Sequence, residues 1–352
     1  MKYNSFCMKW WAILAIVIIV ILFVYLATAI TLLSRMDKSF YGKRIPTQEN
    51  PCHPKMDDFP SLRREDYSVE LYQNEYIRGY IYSDVSISSF KGFIILAHGL
   101  YRTHIRYLID IDILCKAGYQ VLAFDHYGCG LSDGKGIISL CQGMYTLDGV
   151  IKDVEYRNIN HGLKISLYGH SWGAFSIGGA LAYHPEIEKA ICRSAPTNVT
   201  APTLRSIYLK NKALAIFFYP AIRIIYPILL GARNNIKSTF GLKKNKKTKT
   251  LFLHAKNDPM VEYSTSLSKY YLKHPQKNAF VYVSEKGFHD SLIEEESTKE
   301  YRRLNKAYHE IEKLEGKEKA LAEKEFLSSF DRADLMKVQD CVKEEILSFL
   351  ED

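Results

Sequence analysis

Between Phe93 and Ser284 the sequence alternates short, nearly unbroken apolar runs with longer stretches of helical periodicity. The runs are FIILAHG (Phe93–Gly99), QVLAFDH (Gln120–His126), KISLYG (Lys164–Gly169), KAICRSA (Lys189–Ala195), TLFLHAKND (Thr250–Asp258) and AFVYVS (Ala279–Ser284). Helical patterns over Ile105–Lys116, Met144–Tyr156, Ala174–Tyr183 and Tyr263–Leu272 separate them. A strand buried on both faces has no polar side to show, so it reads as a continuous Val/Ile/Leu run, and a parallel partner requires a crossover helix. The order therefore predicts an α/β fold with a mostly parallel central sheet and helices on both faces. Two Tyr- and Ile-rich stretches, YSVELY and EYIRGYIYS, predict a β-hairpin ahead of it.

One strand end carries a serine in an unusual setting. Leu167–Phe175 reads LYGHSWGAF, which puts Ser171 between Gly169 and Gly173 at the carboxyl end of a central run. Small residues there let helix and strand approach closely while the serine takes a strained turn. That edge is also where open α/β sheets bind ligands. A serine nucleophile needs a base to accept its proton and an acid to fix the tautomer of that base. Both stand downstream at strand ends: Asp258 closes LFLHAKNDPMV, and His289 follows the last run in VSEKGFHDSL. Ser171, Asp258 and His289 are the candidate catalytic set, with the backbone N–H groups of Leu100 and Trp172 as candidate oxyanion donors.

Blander readings compete for several of these positions. Alone, Asp258 is as well explained by a turn before Pro259; its place in the Ser, Asp, His order favours catalysis. Asp290 is a rival acid, but immediate chain neighbours seldom present their side chains to each other. His98, His126 and His170 read as satisfied structural histidines, since one base suffices. Cys129, near Gly128 and Gly130, reads as packing because nothing beside it would lower a thiol pKa.

From Tyr67 to His289 the chain resembles the α/β-hydrolase superfamily, closest to its serine aminopeptidase-like and monoacylglycerol lipase-like (lysophospholipase-like) branch, including membrane-anchored bacterial members. LAHGL, FDHYGCGLSDG (Phe124–Gly134), GHSWG, HAKNDPMV and GFH carry the resemblance, in the expected order. It implies an α/β-hydrolase fold with Ser171 as nucleophile, Asp258 as acid, His289 as base, and the amides of Leu100 and Trp172 on the oxyanion. Many relatives carry Arg where Tyr127 stands. No cofactor is implied. The seven scattered cysteines show neither CxxC pairs nor Cys/His ligand spacing, so no metal site is expected.

The N-terminus speaks for a membrane. Trp10 to Leu33 contains no charged residue, and about 20 apolar residues span a bilayer. A cleaved signal peptide is the rival, because Lys2 and Lys9 form a basic start and Ala27-Thr28-Ala29 resembles a cleavage site. The run outlasts a usual signal core, which favours an uncleaved single-pass anchor. Arg35, Lys38, Lys43 and Arg44 behind the span favour a cytoplasmic main domain. A short basic tail before a first span equally marks a signal anchor that exports its domain, so both orientations stand.

These readings divide the chain into an anchor (1–35), a linker (36–63) and a hydrolase domain (64–352) that contains a lid insertion (198–249) and a helical insertion (292–330). The lid is lopsided in charge. From Lys189 to Asn257 there are 14 Lys and Arg and no Asp or Glu, in a chain whose net charge is +8. Within it, Ala213–Gly231 is apolar and aromatic, and Pro220 and Pro227 are expected to break it into short helices. An apolar lid with a basic rim suits an acyl chain in the pocket and anionic headgroups or a membrane at the entrance. It suits a peptidase poorly, since an α-ammonium group wants a carboxylate. The expected substrate is an acyl ester or lipid-like molecule such as a monoacylglycerol or lysophospholipid. Nucleic acid is not an expected partner, because the basic run KKNKKTK is short and sits within an apolar lid. A serine peptidase, an acyltransferase and a non-catalytic membrane-tethered binding protein on the same scaffold are the alternatives. In 292–330, Tyr301, Leu304, Tyr308, Ile311 and Leu314 recur at helical spacing before Gly316, as in a helical hairpin packed by one stripe. Met336–Leu350 reads as the closing helix.

Overall fold

The apolar runs and the hairpin form one eight-stranded sheet: β1 (Leu62–Tyr72), β2 (Glu75–Asp84), β3 (Gly92–Ala97), β4 (Tyr119–Phe124), β5 (Ile165–His170), β6 (Lys189–Arg193), β7 (Lys249–Ala255) and β8 (Ala279–Ser284). The computed structural model describes residues 10–47 and 50–352; Lys2, Cys7 and Lys9 lie outside them. The strand order is β1-β2-β4-β3-β5-β6-β7-β8. β1 with β2 and β2 with β4 are antiparallel, and every later pair is parallel. Because β4 and β5 flank β3 on opposite sides, the winding reverses there, and the loops after β3 and β5 part to leave a crevice.

The helices are α1 (Trp10–Tyr41), α2 (Leu108–Lys116), α3 (Cys141–Tyr156), α4 (Trp172–Ala180), α5 (Thr200–Lys210), α6 (Lys212–Leu230), α7 (Phe240–Lys244), α8 (Leu267–Lys273), α9 (Glu295–Ile311), α10 (Gly316–Ser328), α11 (Arg332–Leu335) and α12 (Asp340–Glu351). One face of the sheet is covered by Leu147, Val150 and Val154 of α3, Ile177 of α4 and Tyr271 of α8. The other takes Leu108, Ile111 and Leu114 of α2 with Val342, Ile346 and Phe349 of α12. The closing helix thus begins at Asp340 rather than Met336; before it, Val338 bridges to Ile293 in extended form.

Two regions differ from the sequence reading. α6 is one continuous helix with Pro220 and Pro227 inside it. Seven residues are close to two helical turns, so both missing N–H groups fall on one side, and the helix continues through them. The Tyr25 hydroxyl of α1 donates to the Phe217 carbonyl at 3.0 Å, in the turn that the Pro220 ring crowds. Packing supplies the rest: Ala215, Phe218, Ile222 and Tyr226 form a buried stripe against Ala29 and Leu33 of α1. Ile216, Phe217, Ile224 and Ile228 are left exposed.

The expected linker is also tied down. α1 continues six residues beyond Arg35, to Tyr41. Ile45 then pairs with Cys129, its N–H donating to the Gly128 carbonyl and its carbonyl accepting from Gly130, each near 2.9 Å. The Arg44 guanidinium donates to the carbonyls of Gly130 and Ser132 at 2.6 Å. In the helical insertion, the stripe Tyr301, Leu304, Tyr308 and Ile311 packs on Phe326, Leu335 and Cys52.

Candidate active site

Ser171 occupies a turn with φ 55° and ψ −110°, between the end of β5 and the start of α4. This region is costly for a residue with a side chain, and only surrounding structure can hold it. The two glycines explain how. A Cβ on Gly173 would stand 1.9 Å from the Ala97 carbonyl oxygen of β3, and one on Gly169 would stand 2.7 Å from the Ala174 nitrogen. Helix and strand are therefore closer here than any side chain allows.

The turn aims the Ser171 hydroxyl at His289, whose Nε2 lies 2.9 Å from Oγ. On the other side of the ring, Nδ1 lies 2.8 Å from Asp258 Oδ2. The second oxygen of Asp258 accepts the N–H groups of Met260 and Val261 at 2.8 and 3.0 Å, so the turn role and the histidine contact coexist in one carboxylate. Burial opposes ionisation of Asp258, but the His289 ring, His254 and the Val261 N–H outweigh it and hold its pKa below the usual carboxylate value. Asp290 points elsewhere, pairing with Arg102 at 3.3 Å and Arg193 at 3.1 Å. Trp172 is the first residue of α4, where backbone N–H groups lack helical acceptors. Leu100, in the turn after β3, shares a cavity wall with Ser171 and Trp172.

The remaining histidines divide. His170 is held at both nitrogens, Nδ1 2.8 Å from the Tyr107 hydroxyl and Nε2 2.9 Å from the His289 carbonyl. His98 Nε2 accepts the N–H of His126 at 2.9 Å. His126 does not fit the expectation of a satisfied residue: both its ring nitrogens are buried without a hydrogen-bond partner among the described residues, and its ring centroid lies 4.3 Å from that of Trp172. Cys129 is buried in an apolar cluster, and burial pushes its thiol pKa up. Glu155, His184 and Glu186 come together on the surface, but the His184 nitrogens are committed to Glu186 at 2.6 Å and Asp148 at 2.9 Å.

Asp125, after β4, does structural work that the sequence reading missed. One oxygen accepts from the backbone and ring of His104 at 2.7 and 3.0 Å, and the other accepts the Leu131 N–H at 2.9 Å. It thereby ties the loop after β3 to the glycine-rich loop after β4. Burial opposes its ionisation, but His104, His98 and the Leu131 N–H win and bring its pKa from 3.8 to about 2. A folded pKa below the unfolded one contributes stability that is present above about pH 4 and lost as the pH falls through about 2. Asp125→Asn should therefore lower the unfolding free energy by about 2 kcal/mol at pH 7, and denaturant titrations should show the gap to wild type closing below about pH 4. A gap of equal size at all pH values would refute this account.

In front of Ser171 opens a cavity of about 310 Å³. Leu140, Trp172, Pro196, Met260 and Val261 make its walls, Pro202 and Leu209 of α5 its roof, and Tyr41 at the end of α1 one flank. The lid thus contributes α5 to the cavity, whereas the apolar α6 turns to α1 and outward. The basic rim also differs from expectation. The cavity's cations are Arg102, Arg205 and Arg302, and it has no Asp or Glu among its lining residues. The lysine run enters the amino end of β7, where Lys247 and Lys249 meet Lys164 and Lys189 at the opposite edge of the sheet.

Residues 88–246 match a family model described as serine aminopeptidase, S33. That span includes Leu100, Ser171 and Trp172 and ends before Asp258. Two crystal forms of an esterase from Pyrococcus furiosus superpose on the chain with TM-scores of 0.55 and 0.54 at 21% and 20% identity. They cover 75% of this chain and 97% and 95% of the esterase. At such identity the likeness is one of fold. No curated protein matches the chain.

Proposed function

We propose that this chain, a serine hydrolase of the α/β-hydrolase fold, is a membrane-anchored esterase for single-chain acyl esters such as monoacylglycerols or lysophospholipids. The observation that carries the proposal is the hydrogen-bonded chain Ser171–His289–Asp258 facing a largely apolar cavity. In this reading His289 takes the proton of Ser171 as its Oγ attacks the ester carbonyl. Asp258 holds the imidazole in the tautomer that leaves Nε2 free to accept, and stabilises the imidazolium that forms. The backbone N–H groups of Leu100 and Trp172 receive the oxyanion. His289 then protonates the leaving alcohol, and water releases the acyl group by the same steps.

Membrane anchoring draws support from α1. Trp10–Arg35 is long and apolar enough to cross a bilayer, with a mean hydropathy of 3.2 in its best window. Cleavage after Ala29 would remove the Tyr25 hydroxyl and part of the surface on which α6 packs. Tyr41 joins the span directly to the cavity wall, which favours substrates that reside at the membrane. The family description keeps an aminopeptidase reading alive, but a substrate ammonium would meet three arginines here and no carboxylate.

The test is fluorophosphonate labelling of the full chain in detergent, competed by esters of graded chain length. Each added methylene that is buried is worth about 0.8 kcal/mol, so medium and long chains should outrun acetyl and butyryl esters by more than tenfold. Short esters ahead by tenfold would end the lipid reading. A wild type left unlabelled even with added vesicles would favour the non-catalytic scaffold.

A further inference from the structure

A second cavity, of about 120 Å³, also has His289 in its wall. It has room for several water molecules, hence for a phosphate-sized group. Its walls come from the loop after β3, from the segment behind His289 and from α9, so it exists because of the 292–330 insertion. Three guanidinium groups line it: Arg102, Arg106 and Arg302. Arg102 and Arg302 line the acyl cavity as well, and with His289 they form the boundary that the two cavities share.

The charge around this cavity is unbalanced. Its two carboxylates, Asp110 and Asp290, are both engaged by the buried Arg193, at 2.5 and 3.1 Å. Arg106 and Arg302 have no ion pair with a carboxylate among the described residues, and Arg106 Nη1 is buried without a hydrogen-bond acceptor. Arg106 instead lies over the Tyr301 ring at 4.7 Å and Arg302 over the Phe288 ring at 4.5 Å. Burial disfavours the charged form of Arg106, and the neighbouring Arg102 adds to that cost. Arg106 is half-buried with one guanidinium nitrogen shut away from water and unpaired, which is costly, and an anion between the guanidinium forks would satisfy it with charge-assisted hydrogen bonds.

We infer that this second cavity receives a phosphate carried on the alcohol side of the substrate, so that the preferred ester is a monoacyl glycerophosphate and not a neutral monoacylglycerol. The inference rests on the ester-hydrolase reading above. With the acyl chain in the apolar cavity and the carbonyl at Ser171, the alcohol portion leaves past His289 toward Arg102, Arg106 and Arg302.

Two measurements on the full chain in a nonionic detergent test this. The first is the ratio of kcat/KM for 1-acyl-glycerol 3-phosphate to that for the monoacylglycerol of the same chain. Wild type should favour the phosphate by about tenfold or more, the effect of one charge-assisted contact. Arg106→Gln should erase most of that preference, and Arg302→Gln, on an exposed side chain that tolerates change, should reduce it. Lys243→Gln, remote from both cavities, should leave the ratio within twofold, which separates the pocket from general attraction of anions. The second measurement is thermal stabilisation by glycerol 3-phosphate and by inorganic phosphate, expected in wild type and lost in Arg106→Gln.

A wild type without preference, or a ratio unmoved by both arginine variants, overturns the inference. Stabilisation by inorganic phosphate in an enzyme that shows no preference makes this a site for free phosphate and overturns the substrate assignment. If neither ester is turned over, the esterase reading fails. The stabilisation assay then judges the cavity alone: loss in Arg106→Gln sustains an anion site, and its absence in wild type removes it.

Discussion

Ser171→Ala is expected to lower kcat on a monoacyl ester by about a million-fold and to abolish fluorophosphonate labelling. Removing a nucleophile that works as a unit with its base costs about as much as removing the whole set. The hydroxyl is the atom 2.9 Å from His289 Nε2, so no other group within the arrangement can replace it as the attacking oxygen. The fold should survive. Alanine keeps the φ of 55° that the close approach of α4 and β3 imposes, and it adds no atom to that contact. Thermal unfolding within a few degrees of wild type, together with lost labelling, would place the defect in chemistry. Labelling retained at wild-type rate would show another residue to be the reactive one and would remove the basis for reading Ser171, His289 and Asp258 as a catalytic set.

The second large effect lies beneath the site. Arg193→Met should destabilise the protein by about 3–5 kcal/mol, because removing one partner of a buried ionic group leaves uncompensated charge behind. Arg193 is fully buried at the end of β6, with Asp110 of α2 at 2.5 Å, Asp290 at 3.1 Å and the Tyr168 ring 5.4 Å away. In a domain of this size the loss corresponds to a fall in Tm of roughly 10 °C. Activity should fall too, beyond what unfolding explains. Asp290 follows His289 in the chain and also holds Arg102, two residues from Leu100, so the ion pairs fix His289 and the turn that carries Leu100 relative to each other. Adding Asp110→Asn to Arg193→Met should recover part of the stability, since it removes one stranded charge. A single variant with wild-type Tm would show that the network contributes nothing net. A variant destabilised as expected but with unchanged kcat at low temperature would confine it to stability.

The contrast between Asp258 and Arg193 shows which features a linear reading reaches. Asp258 is legible because the three candidates come at strand ends in the order Ser, Asp, His, and each is flagged by local turn chemistry: Gly169 and Gly173 around Ser171, Pro259 after Asp258, Gly287 before His289. Arg193 carried no such flag. Its partners stand 83 and 97 positions away in the chain, and a buried arginine in a strand looks like any basic residue in a count of charges. Counted within the lid region, it even misled the reading of the rim. Asp125 belongs to the same class: the partners of its carboxylate, His104 and Leu131, become neighbours only when the loops after β3 and β4 meet.

Secondary structure followed a similar division. Buried parallel strands are legible because both faces must be apolar, which writes itself into every residue of the run. A helix carrying two prolines is decided by what surrounds it. Local rules break α6 at Pro220 and Pro227, while Tyr25, Ala29 and Leu33 of α1, nearly two hundred residues earlier in the chain, supply the hydrogen bond and apolar surface that keep it whole. Near-neighbour periodicity and turn chemistry were enough to specify the sheet, the apolar N-terminal run and the order of Ser171, Asp258 and His289 along the sequence, which the fold brings into one hydrogen-bonded chain. Tertiary structure alone decided which cations face the cavity, how α1 meets the lid and where the second cavity lies. Those depend on contacts between residues far apart in the chain, which no local pattern records.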